Sequence, residues 1–156
     1  MGSIMCVRCR SCDYSETFLT GFGMEFDIVR FFDLEGDSEK LKEIIASQDE
    51  FEYVKALFQK EKNKLTRYGS EIYYCSGCNA FSTHFFIHLE HEGGWYEIEH
   101  KCLKCGDSLR RIYYNQIPYS NSNIVEYYVE SNLNDCGCPK CQKCSLYMDQ
   151  RIGCWD

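Results

Sequence analysis

The chain has 156 residues, 12 of them Cys, and a formal net charge of −7. That length allows one domain or two small ones, and no stretch approaches the roughly 18 consecutive apolar residues of a bilayer span. The charge runs −3 over 1–35, 0 over 36–70 and −2 in each of 71–112 and 113–156, without the basic face that grips a phosphate backbone. Nucleic acid is therefore disfavoured as a partner, membrane is excluded, and another protein is expected.

Residues 1–20 carry no apolar export signal, so a cytoplasmic location is expected. Thiols stay reduced there, and clustered Cys bind metal more often than they form disulfides. Cys6, Cys9 and Cys12 follow one another at intervals of three. A metal-binding knuckle turns sharply, and the residue after its second Cys favours Gly, Asn or Asp because φ is positive there. Asp13 follows Cys12, so Cys9/Cys12 is the preferred pair. From Tyr14 to Phe32 the pattern reads as strand, Gly-rich bend and strand. Gly21-Phe-Gly23 lacks the third Gly and the helix start of a phosphate loop.

At Asp37 the period changes. Leu41, Ile44 and Ile45 share one helical face, with Asp37 as N-cap. Ser47-Gln-Asp-Glu50 then has the capping-box form. The helix after it carries Phe51, Val54, Leu57 and Phe58 and runs into Lys60, Lys62, Lys64 and Arg67, with Gly69 as its stop. Residues 37–68 thus read as a helical hairpin that packs rather than reads DNA.

The most informative stretch follows. Cys75-Ser-Gly-Cys78 is separated by 23 residues from Cys102-Leu-Lys-Cys105. Between them an alternating run from Phe81 to Leu89, a turn at Gly93-Gly94 and a return from Trp95 to His100 predict a β-hairpin. Asn79 and Gly106 follow the second Cys of each pair. Two such pairs flanking a hairpin can close four thiolates around one ion in tetrahedral geometry. Zinc is the expected metal; iron accepts the same ligands. His84 and His88 share a strand face but stand about 13 Å apart, too far for one ion.

Ser108–Tyr114 reads as a strand, and Asn115–Asn123, polar and carrying Pro118, as a loop. Val125, Tyr127 and Val129 alternate with Glu126 and Tyr128 as a further strand. In the tail, Cys138-Pro-Lys-Cys141 is the most knuckle-like pair. Joined to Cys9/Cys12, it makes a second four-thiolate site that ties the termini together. The expected metal ligands are therefore Cys75, Cys78, Cys102 and Cys105 in one site and Cys9, Cys12, Cys138 and Cys141 in the other, holding two zinc ions. Cys6, Cys136, Cys144 and Cys154 receive no role. Lys101, Lys104, Arg110 and Arg111 are expected around the central site, offsetting its negative charge.

The chain shows no nucleophile elbow, P-loop or His-Glu-x-x-His. His88-Leu-Glu90 followed by Cys102-Leu-Lys-Cys105 resembles the zinc nucleobase deaminases. Lys101 stands where that family has Pro, however, and the spacing is too short for the intervening elements. No catalytic residue is assigned.

The Cys75–Cys105 segment resembles the zinc-ribbon group found in transcription factors, ribosomal proteins and rubredoxin-like modules. Cys9-x-x-Cys12-x-Tyr14 with Gly21-x-Gly23-Met24 is similar to small uncharacterised bacterial zinc-ribbon proteins. The resemblance implies a fold and no activity.

Together these readings predict a single compact α+β domain over 1–156. It has small antiparallel sheets, a central zinc ribbon (71–112), a helical hairpin (37–68), and terminal strands with Cys pairs (1–35 and 124–156) forming the second metal site. The function expected is that of a non-enzymatic zinc-binding adaptor for another protein. One alternative is a nucleic-acid-binding ribbon using Lys60, Lys62, Lys64, Arg67, Arg110 and Arg111. Another is a thiol switch in which oxidation ejects the metal.

Overall fold

A computed structural model describes residues 2–22, 42, 44, 45, 47–58, 60, 64–121 and 124–155. Nine strands and one complete helix appear among them. They are β1 (Gly2–Cys9), β2 (Ser15–Gly21), α1 (Gln48–Phe58), β3 (Lys64–Cys75), β4 (Ala80–His91), β5 (Gly94–Glu97), β6 (Arg110–Arg111), β7 (Tyr114–Asn121), β8 (Ile124–Ser131) and β9 (Leu146–Trp155). The expected α+β class is corrected: the architecture is mostly β, one curled antiparallel sheet with a short helix against it.

The main sheet runs in the order β5-β4-β3-β2-β1-β9, and β6 adds to β3. β1 lies between β2 and β9 and reads Met5-Cys6-Val7, all fully buried. A strand covered on both faces needs no polar alternation, which is why its sequence gives no period of two. β4 does alternate. Its Ile87, with Phe85 beside it on the same face, packs in one apolar cluster with Phe51 and Val54 of α1. Each such side chain contributes about 1.5–3 kcal/mol.

The helical hairpin is half outside the described residues. Of 37–46, Lys42 and Ile44 are helical, Ile45 is buried without helical hydrogen bonding, and the rest lies outside. The second helix begins as expected, with the Glu50 backbone N–H donating to Ser47 Oγ at 3.4 Å. Glu50 does not complete the capping box. Its carboxylate accepts from the Tyr96 hydroxyl at 2.7 Å and ties α1 to β5.

The helix then stops at Phe58, and 64–68 is strand, not helix. Leu65, Thr66 and Tyr68 suit a pleated surface. β4 offers a partner for nearly every residue of β3, with a bulge at Thr66. That pairing outweighs the favourable placing of Lys and Arg at a helix end, a term of only about 0.3–1 kcal/mol each. Gly69 is not a helix stop. It sits within β3 at φ +135°, where an added Cβ would lie 2.9 Å from the Gly21 backbone.

The polar run at 115–121 is also strand. β7 pairs with β8 as a two-stranded ribbon, Pro118 opposite Tyr127. An edge strand has ladder positions that need no N–H donor, so Pro is tolerated there. A second apolar cluster holds Met5, Val7, Phe18, Ile72, Ile112 and Leu133 against the last Cys-rich segment. No helix among the described residues is long and apolar enough to cross a membrane.

Candidate metal centres

The four Cys-x-x-Cys turns share one construction. In three of them the backbone N–H of the first Cys donates to the carbonyl five residues on: Cys9 to Tyr14 (3.1 Å), Cys102 to Asp107 (2.8 Å) and Cys138 to Lys143 (3.1 Å). In the fourth, Cys75 pairs in register with Ala80 at the same offset. A short hairpin of this kind turns both thiols to one side. Ser11 N–H reaches Cys9 Sγ at 3.3 Å and Lys140 N–H reaches Cys138 Sγ at 3.4 Å, placing backbone donors where thiolate charge sits.

The expected positive φ appears at Asn79 (47°) and Gly106 (81°), and also at Gln142 (63°), which follows Cys141. Asp13 is not among the positive-φ residues. The Cys9/Cys12 pair is thus correctly chosen by a criterion that this turn does not use. Asp13 instead forms an ion pair with Lys140 Nζ, bridging the two turns of that site.

The turns converge in two quartets, Cys9/Cys12/Cys138/Cys141 and Cys75/Cys78/Cys102/Cys105, with all four sulfurs of each lying within 4.8 Å of one another. In the first, the terminal quartet, Cys9 Sγ lies 3.6 Å from Cys141 Sγ and Cys12 Sγ 3.6 Å from Cys138 Sγ. In the central quartet, Cys75 and Cys105 are 3.4 Å apart and Cys78 and Cys102 3.8 Å apart. In both, the first Cys of one pair meets the second Cys of the other.

These distances decide the chemistry. A disulfide needs about 2.05 Å between sulfurs. Four sulfurs at roughly 2.3 Å from one tetrahedral ion stand about 3.8 Å apart. All eight Cys are free thiols arranged at close to the second spacing. Both sets therefore fit a metal ion, and two four-thiolate sites able to hold metal are present.

The acidities show the same requirement. Hydrogen bonding by the Ser145 hydroxyl, 3.2 Å away, and by Ser11 N–H lowers the Cys9 thiol to about 6. The backbone N–H groups of Cys105 and Lys104 lower Cys102 to about 6. Their neighbours resist. Cys12 is helped by a backbone hydrogen bond from Tyr14, yet burial and the thiols of Cys141, Cys138 and Cys9 push it up to about 12. Cys105 is pushed upward too, against a backbone hydrogen bond from Asp107, by Cys75, burial, Cys78 and Cys102. Four adjacent thiols cannot all ionise by themselves; a dication among them removes the obstacle.

One residue joins the two sites. The Tyr74 hydroxyl donates to Asn79 Oδ1 at 2.6 Å and accepts from the buried Gly137 N–H at 2.8 Å. Asn79 belongs to the turn of the central quartet and Gly137 leads into Cys138. Nothing in the sequence distinguishes Tyr74 from its neighbours. Ser145, beside Cys9, carries no sequence signal either.

The remaining Cys stand apart from the quartets. Cys6 is buried with its Sγ 3.4 Å from Ser15 Oγ. Cys136 is buried and receives Arg110 Nη2 at 2.9 Å, and Cys144 is exposed. Cys154 lies on β9, and its side chain is outside the described residues. His84 bonds Ser82 Oγ and stacks on His100, while His88 bonds Glu97 Oε1 at 2.8 Å.

The expected ring of basic side chains around the central quartet does not include Arg110 or Arg111. Arg110 is held by Cys136, and Arg111 lies between the rings of Phe86 and Tyr113. Of the six residues of the alternative basic face, Arg67 and Arg111 line one cavity. Lys60 is exposed, and the side chains of Lys62 and Lys64 are outside the described residues.

The sequence matches no protein-family model, and neither a curated protein nor a solved structure matches the chain.

Proposed function

We propose that the protein is a non-enzymatic, zinc-binding adaptor, built on two structural four-thiolate sites, whose partner is another protein. The observation that carries the metal reading is the pair of quartets with sulfur separations of 3.4–3.8 Å. Soft thiolates in tetrahedral array suit zinc, and an ion with four protein ligands keeps no place for water or substrate. A closed ion of this kind contributes folding energy rather than catalysis. The central hairpin with its two turns supports a zinc-ribbon assignment for 71–112.

The partner reading rests on surface chemistry. The chain is acidic, and Leu103 stands 97% exposed at the tip of a metal-binding turn. An apolar side chain held out on a rigid turn suits a protein pocket better than a phosphate backbone.

Elemental analysis of protein purified under reducing conditions should give two zinc ions per chain. Metal-free material that still melts cooperatively would overturn the metal reading. For the partner, zinc-loaded protein is used to retain proteins from a nuclease-treated extract. A defined protein retained by the native chain and lost with Leu103→Asp supports the adaptor. Recovery of nucleic acid and of no defined protein, with affinity falling steeply as salt rises, refutes it.

A further inference from the structure

The polar face of the sheet holds a feature that the metal centres do not use. Two cavities, about 320 and 330 Å³, adjoin at Arg111, Phe86 and Glu97, which line both. The first is walled by aromatic rings, with Trp95 and Tyr113 on its rim, 64% and 51% exposed. The second is lined by Arg67 and His88.

Arg111 lies between them with a side chain only 10% exposed. Its guanidinium stands 3.5 Å from the centre of the Phe86 ring and 4.4 Å from that of Tyr113. Stacking holds the charge in place, but rings accept no conventional hydrogen bond. Nε and Nη1 are sealed from solvent and have no acceptor among the described residues, and Nη2 is 3.7 Å from Glu97 Oε1. Buried donors without an acceptor are rare in folded proteins. Tyr113, one of the two rings stacked on the guanidinium, is half exposed. An oxyanion entering beneath it would meet the donors of Arg111 and, in the second cavity, those of Arg67.

The lining is not simply basic. Glu97 and Glu99 face the aromatic cavity and would repel a bare anion. They suit a planar ring that carries N–H donors. A ligand with such a ring at one end and an anionic group at the other meets every wall.

We propose that these adjoining cavities bind a nucleotide unit, its base against Trp95 and Tyr113 and its phosphate at Arg111 and Arg67. The unit is either a free mononucleotide or one residue of a single strand; the contacts are the same. Stacking is the sequence-tolerant part of such binding, and the arginines supply the rest. The site is independent of which metal fills the quartets.

The test uses metal-loaded full-length protein and titration calorimetry. AMP and CMP should bind saturably, whereas adenosine and inorganic phosphate, each lacking one half of the ligand, should bind at least about tenfold more weakly. Trp95→Ala, a change at an exposed rim position, should weaken AMP roughly tenfold with metal content unchanged. Arg111→Gln should weaken it at least as much; if that variant fails to fold, Tyr113→Leu takes its place. An oligothymidylate of eight residues that binds more tightly than TMP assigns the site to a strand, and equal affinity assigns it to the free nucleotide. Absence of heat with every nucleotide and strand at millimolar concentration overturns the proposal. So does unchanged affinity in Trp95→Ala together with either partner variant.

Discussion

The terminal and central quartets are built from the same turn, yet they do different mechanical jobs. The central one closes sulfurs 24 and 30 residues apart, across a hairpin that β-pairing already holds. The terminal one joins sulfurs 126 and 132 residues apart. Their burial differs in step: Cys9 and Cys138 are buried in the terminal set, while Cys105 is exposed in the central one. An ion in the central site reinforces local structure. An ion in the terminal site holds β1 to the segment leading into β9, and so fixes one end of the sheet.

The largest effect expected from this contrast is at Cys138. A structural zinc site contributes about 10–16 kcal/mol apparent, as much as the whole net stability of a typical domain, about 5–15 kcal/mol. Cys138→Ser should abolish the cooperative thermal transition and release both ions, as read by circular dichroism and metal analysis. Cys105→Ser should do less. One ion should remain, cooperative melting should persist at lower Tm, and faster amide exchange should concentrate around residues 100–111. Equal damage from both substitutions would remove the distinction.

Acid should act on both sites with one sign. Metal binding keeps the ligand thiols ionised far below their unfolded value of about 8.5. Stability is therefore full above that value and is lost as pH falls through the bound-state range. Two histidines add to the loss. Burial holds His84 and His100 below their usual range, with His100 a further cause at His84. The unfolded chain therefore takes up their protons first as pH drops past about 6.5. Glu71 works oppositely, since burial raises its carboxyl and protonation favours the fold. A Tm that stays flat from about pH 8 to 5 in a zinc buffer would contradict the ligand assignment.

A smaller effect is expected at the bridge between the sites. Tyr74→Phe leaves the buried Gly137 N–H without its acceptor, at a cost of about 1–3 kcal/mol. Because the hydroxyl touches both turns, the substitution should raise the rate of zinc loss from both quartets in a chelator assay. Acceleration confined to one site would show that they are uncoupled. The smallest effect is at Lys140. Its ion pair with Asp13 is more than half exposed on both sides, and Lys140→Ala should leave Tm unchanged by calorimetry.

How much of this was legible follows from what each signal depends on. The eight clustered Cys were readable because a Cys-x-x-Cys turn is local chemistry, and the hairpin from 81 to 100 because its alternation is local too. The pairing of Cys9/Cys12 with Cys138/Cys141 rested on their being the remaining good pairs once the hairpin had claimed the central two, and an interleaved pairing competed with it. What failed depended on distant partners. Residues 64–68 carry helix-end charges but become strand because β4 lies alongside. Asn115–Asn121 looks like loop by composition but pairs with β8. Arg111 reads as a surface charge near the metal. Only its register opposite Tyr73 places it inside the sheet's polar face.

The contact between Gly69 and Gly21 has a consequence for how the sheet deforms. β2 and β3 share one register pair among the described residues, Gly21 with Ser70, beside a spot where neither backbone carries a side chain. That seam has three strands on one side and four on the other, and each side carries its own cluster of sulfur. A side chain at Gly69 would meet the Gly21 backbone and wedge the two sides apart without touching a Cys of either quartet.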